Sequence, residues 1–107
     1  PMDMELNKLT PRQALIYDAL IPPGMPVRGK ELARRTRISE RDLRSERKAM
    51  QEQGVPIVTG DFGYMLVDEN NPEPLLRYAK RLNAHGDEEL ATAAMAQQIY
   101  ERLVTAR

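Results

Sequence analysis

Residues 27–50 hold two short amphipathic segments separated by about four residues, which leaves room for little besides two helices packed across a tight turn. In the first, roughly Gly29–Arg35, Leu32 and Ala33 face inward, joined by Thr36. Ile38 is the apolar residue of the turn. Ser39 then offers a side-chain cap to the next helix, with Asp42 at its third position completing a capping box and placing a carboxylate at the positive helix end. At about 100° per residue, Leu43 and Met50 share one face of that helix, while Arg41, Arg44, Ser45 and Lys48 gather on the opposite face. Arg47 breaks the pattern, because an apolar residue is expected four positions after Leu43. Its stem is expected to lie along the core, or its head to pair with Glu46 or another helix.

The flanks extend this unit. Thr10-Pro11-Arg12-Gln13 combines a capping Thr, Pro at the first helical position and Gln at the third, so a helix starts there with Leu15, Ile16, Ala19 and Leu20 as its apolar stripe. Three prolines and Gly24 between residues 21 and 26 end it and form a stiff connection. Val27 is placed for a one- or two-residue strand contact with a later hairpin. Past the helix stop at Gln53-Gly54, Val55–Thr59 and Tyr64–Val67 surround the Gly-rich loop Gly60-Asp61-Phe62-Gly63, which predicts that hairpin. Phe62 and Tyr64 read as its packing residues.

Charge is segregated along the chain. The 107 residues are formally neutral, yet residues 28–48 carry nine Lys and Arg against four Asp and Glu, a net +5. Residues 1–27 carry −1 and residues 49–107 carry −4. A basic block inside a neutral chain predicts one face directed at a polyanion. On an isolated helix, a stripe such as Arg41, Arg44, Ser45 and Lys48 is ordinary solvated surface; a preceding helix and tight turn that hold it outward make it a candidate binding face. Arginine forks match guanine edges, and a helix of this width enters the major groove. Arg28, Lys30, Arg34 and Arg37 are the candidate phosphate contacts. Arg28 occupies a cap position where Ser, Thr or Asp is favoured.

In order and spacing, three helices followed by a two-stranded hairpin over residues 10–67 resemble the winged helix-turn-helix domains of bacterial and phage transcription regulators. The matching residues are Lys30-Glu31-Leu32-Ala33, Ile38 to Arg44 and Gly63-Tyr64-Met65-Leu66. The resemblance implies sequence-specific binding of double-stranded DNA by a small regulator of transcription or replication. The alternative is a winged-helix adaptor that binds protein and not DNA. Two departures stand out: Thr36-Arg37 occupies a turn that commonly carries Leu-Gly, and the hairpin tip has Asp61 in place of a cation. The first predicts a non-Gly residue in a left-handed conformation; the second argues against deep insertion of the hairpin into a minor groove.

Residues 1–9 read as an arm. From residue 72 to 105 a helical extension is expected, with Leu75, Ala79, Leu82, Leu90, Ala93, Ala96, Ile99, Tyr100 and Leu103 as its stripe. Whether Gly86 and Asp87 separate two helices or interrupt one is open in the sequence, and one continuous or kinked helix is the preferred reading. The stripe could fold back on the domain or pair with its copy in a second subunit; a helix of that length outruns so small a core, so a homodimer through it is the preferred expectation, placing two recognition helices on a two-fold site. The expected fold class is therefore α+β: mostly helical, with one small hairpin.

Enzymatic chemistry is not expected. There is no Cys, which removes thiolate catalysis, disulfides and Cys-based zinc sites, and the single His, His85, has no His or Cys partner for a metal. No cofactor or small-molecule ligand is inferred. Four Tyr and one Phe are too few for a single-strand stacking platform. The lack of Cys and of any long apolar run predicts a cytoplasmic protein away from membranes.

Overall fold

The computed structural model describes residues 8–84 and 90–106. The chain runs α1 (Pro11–Ala19), α2 (Gly29–Thr36), α3 (Glu40–Glu52), β1 (Ile57–Gly60), β2 (Gly63–Leu66), α4 (Glu73–Asn83) and α5 (Leu90–Thr105). This is a mostly helical α+β arrangement with one two-stranded antiparallel sheet.

The start of α1 follows its capping box: Thr10 Oγ1 accepts from the Gln13 amide at 3.1 Å, and the Gln13 side chain accepts from the Thr10 amide at 3.1 Å. Its inward stripe differs from expectation. Ile16 and Leu20 are buried, but Leu15 is 53% exposed. The inward position is taken by Gln13, which donates to Glu46 Oε1 at 3.0 Å and accepts from Gln53 at 3.1 Å. A buried amide is tolerated there because its hydrogen bonds are made, and they tie α1 to the middle of α3 and to its C-terminal cap.

Between α2 and α3 the Thr36 hydroxyl donates to Leu32 O at 2.8 Å and accepts from the Ile38 amide at 3.3 Å. Arg37 follows with φ of 60°, the left-handed conformation that the missing glycine implied. Ser39 caps α3 by accepting from the Asp42 amide at 3.1 Å. The second half of the expected capping box does not form, since the Asp42 carboxylate turns instead to Arg12 at 2.7 Å.

The hairpin pairs Ile57 with Leu66 through Gly60 with Gly63. Val27 bridges the free side of β2, exchanging two 2.8 Å backbone bonds with Tyr64, as its position predicted. Gly63 makes this possible. Its φ is +105°, and a Cβ there would collide with the Val27 carbonyl oxygen and lie 2.7 Å from Arg28 Cα.

The hairpin separates two apolar cores. Ile57 and Leu66 join Ile16, Leu20, Val27, Leu32, Ile38, Leu43, Met50 and Val55 on one side. Val58 and Val67 join Leu75, Tyr78, Ala79, Leu82, Ala93, Ala96, Ile99 and Leu103 on the other. Consecutive strand residues point to opposite faces, so adjacent apolar residues at 57 and 58 require cover on both.

That cover corrects the expectation of a single long C-terminal helix. The first segment stops at Asn83 with Ala84 as its C-terminal cap, and α5 packs back along α4, bringing Tyr100 to 3.5 Å from Glu73 at the opposite end. The stripe is thus covered within one chain, except that Leu90 is 45% exposed. Residues 85–89, His85, Gly86 and Asp87 among them, lie outside the described residues, as do residues 1–7 of the expected arm. No helix among the described residues is long and apolar enough to cross a membrane.

Candidate nucleic-acid interface

The electrostatics of α3 follow from how its two flanks are used. Facing α1, Asp42 and Glu46 meet Arg12 at 2.7 and 3.8 Å, and Glu46 also receives the Gln13 amide. Those carboxylates are spent on packing α3 against α1. Arg41, Arg44, Ser45 and Lys48 are all exposed. The helix therefore presents three cations and a hydroxyl outward from a rigid, capped frame, as its periodicity predicted.

On the opposite flank, Arg44 and Arg47 face the hairpin. A cleft of about 410 Å³ lies there, lined by Arg28, Gly29, Arg44, Arg47, Thr59, Gly60, Asp61, Gly63 and Tyr64. Arg28 enters this cleft because the Val27–Tyr64 bridge fixes the chain just before α2. Its side chain makes no capping bond. Instead, the Glu40 carboxylate lies over the first turn of α2, where a Cβ on Gly29 would come within 2.9 Å of Oε1. A carboxylate suits the positive end of a helix.

Arg47 is explained by its partner. It lies half-buried, with Nη1 donating to Gln51 Oε1 at 3.0 Å. Gln51 is itself buried and passes the connection on, donating to Ile57 O at 2.9 Å and to the Tyr78 hydroxyl at 3.2 Å. Thr59 also donates to that hydroxyl at 3.4 Å. One polar chain thus runs from α3 through β1 to α4. Of the two expectations for Arg47, the half-buried side chain with its buried Nε fits a stem lying inward; no pairing with Glu46 is made, and Glu46 is engaged by α1. The Arg47 Nε is buried and lacks a hydrogen-bond partner.

The hydroxyl of Tyr64 is held above its ordinary pKa by burial, with the nearby Arg47 and Arg44 guanidiniums opposing that rise. It is a neutral donor at physiological pH. The remaining candidates are divided. Lys30 and Arg37 are exposed. Arg34 is bound to Glu31 at 2.5 Å, and Arg35 reaches the same carboxylate at 2.8 Å. Hydrogen bonds from Arg34 and then Arg35 lower the Glu31 pKa to about 2. Arg34 is consequently a neutralised cation on its own helix and does not join the cleft.

Sequence reasoning missed Arg47, Tyr64, Thr59 and Gln51 as parts of one surface. The signal lay in Arg47 itself, a cation at an expected core position, combined with Gln51 four residues later. Among the described residues no three His, Asp or Glu side chains are grouped to hold a metal ion. No protein-family model matches the chain, and neither a curated protein nor a solved structure matches it.

Proposed function

We propose that this chain is a winged helix-turn-helix protein that binds double-stranded DNA with sequence preference, using α3 as the recognition helix and the β1–β2 hairpin as the wing. One observation carries the reading: Asp42 and Glu46 of α3 are drawn to α1 and Glu40 to α2, while Arg41, Arg44, Ser45 and Lys48 stay exposed. In this reading those four residues contact base edges and adjoining phosphates in the major groove. Arg28, Lys30 and Arg37 position the helix on the backbone, and Arg34 contributes less because Glu31 holds it. A regulator of transcription or replication, of bacterial or phage type, is the role this arrangement suits.

Selection from random duplexes tests the proposal. It requires an enriched sequence for the unmodified protein and loss of that enrichment, with the circular-dichroism spectrum retained, in Arg41→Ala/Arg44→Ala. Equal enrichment by the double variant would show that α3 does not read DNA.

A protein-binding adaptor is the second reading, favoured by a groove of about 310 Å³ between the hairpin and α4. Val58, Phe62, Met65 and Pro74 give it apolar walls, and Arg77 and Arg81 flank it. A protein that retains no duplex at low salt is the result this reading requires. Homodimerisation is a separate proposal. Because α4 and α5 cover each other, a second copy would use the outer face of α5, where Leu90, Ala91, Ala94 and Val104 are exposed. The mass in solution decides it.

A further inference from the structure

We infer that the cleft between α3 and the hairpin is a seat for one backbone phosphate of the bound duplex, with Arg47 at its floor, Arg28 and Arg44 beside it, and the Tyr64 hydroxyl as a neutral donor. The inference rests on the DNA-binding reading and assigns roles to two residues, Arg47 and Tyr64, that the outward face of α3 does not include.

Four observations converge on this site. Arg28, Arg44 and Arg47 line one cleft with Asp61 as its lining carboxylate, and Glu40 is close enough to influence Tyr64. An excess of positive charge therefore remains beside a concave surface, which favours an anion of low charge over a bare cation. The Arg47 Nε is buried without a hydrogen-bond partner. An unpaired donor of this kind is costly, and turning the guanidinium outward onto a phosphate oxygen would satisfy it. Gln51 holds Arg47 through a single 3.0 Å bond from Nη1, so turning the guanidinium outward would break only that one bond to Gln51. Finally, Thr59, Gly60 and Gly63 of the hairpin line the far wall, so the cleft is bounded on both sides.

The arrangement also sets where the nucleic-acid backbone runs. One strand would pass between α3 and the hairpin, with the outer face of α3 directed into the adjoining major groove. Asp61 sits at the tip of the hairpin, on the lip of the same cleft, and opposes a second phosphate there. A single phosphate is the occupant that the cleft suits.

The test uses the full chain and a fluorescein-labelled duplex in which each backbone phosphate in turn is replaced by a neutral methylphosphonate. For the unmodified protein, one replacement should weaken binding roughly tenfold, the size expected for losing hydrogen bonds to a charged group. In Arg47→Met the same replacement should have no further effect, and the slope of log K against log salt should be shallower by about 0.9. Tyr64→Phe, which keeps the ring, should weaken binding several-fold without changing sequence preference. If Arg47→Met is unfolded by circular dichroism, Tyr64→Phe scanned against the same duplexes decides. An unchanged salt slope and methylphosphonate profile in a folded Arg47→Met, or an unchanged profile in Tyr64→Phe when it stands alone, overturns the phosphate seat while DNA binding stands. Failure of the unmodified protein to bind any duplex overturns the DNA reading and the seat together.

Discussion

Replacing Gln51 with Met probes the polar chain that joins α3, the hairpin and α4. Methionine matches the length of glutamine and makes none of its hydrogen bonds. The Ile57 carbonyl would lose the 2.9 Å bond from Gln51 Nε2, and a buried acceptor left unpaired costs about 1–3 kcal/mol. Tyr78 would keep the 3.4 Å bond from Thr59, so its loss is partial. Arg47 is half-buried and can turn to water, which makes its contribution small. Burying a thioether in place of an amide recovers part of the cost, leaving a net destabilisation of about 2 kcal/mol. For a domain near 100 residues that is a fall in melting temperature of roughly 10 °C, measured by circular dichroism. The same variant should shift the backbone resonances of α4, to which Gln51 is hydrogen-bonded through Tyr78. A melting temperature within about 2 °C of the unmodified protein would refute the argument, because so small a change corresponds to well under 1 kcal/mol.

Three further perturbations follow from the same contacts. Gly63→Ala forces a Cβ into the Val27 carbonyl and endangers both Val27–Tyr64 bonds, so it should lower stability by about 2–4 kcal/mol in urea denaturation. Leu75→Ala, at the centre of the second core, should cost about 2–5 kcal/mol and reduce hydrogen-exchange protection in α4 and α5. Glu31 has a folded pKa lowered to about 2 from 4.5, so its stabilising contribution is complete above pH 4.5 and is lost as pH falls toward 2. The difference in melting temperature between the unmodified protein and Glu31→Gln should therefore shrink across that interval; a constant difference would show that the Arg34 and Arg35 contacts contribute nothing. At neutral pH Glu31→Gln should tighten low-salt DNA binding by releasing Arg34.

Local signals carried much of the fold. The Thr10-to-Gln13 box, the Ser39 cap and the Gly54 stop depend on neighbouring residues alone, and each appears where the sequence placed it. What escaped was set by distant partners. Gln13 is inward and Leu15 outward because α3 supplies Glu46 and Gln53 to satisfy an amide, which periodicity cannot register. Asp42 abandons half of its capping box for Arg12, thirty residues away. The second core was foreshadowed by Ile57-Val58, two adjacent apolar strand residues that require cover on both faces, but attention to helical length favoured a continuous extension. In the candidate site, the outward face of α3 was legible from spacing. The cleft was not, since it depends on the hairpin arriving beside Arg47 and on Gln51 holding that arginine in place.

Duplex affinity as a function of salt decides whether α3 and its flanking cations engage nucleic acid. Contacts from Arg28 and Arg47 to one shared phosphate, and from Lys30 and Arg37 to two others, give log K against log salt a slope of roughly −2.7, so affinity should fall about fortyfold for a fourfold rise in salt. The unmodified protein should show that steep dependence and Arg47→Met a shallower one. No measurable binding at low salt, or affinity that is flat across the titration, would contradict it.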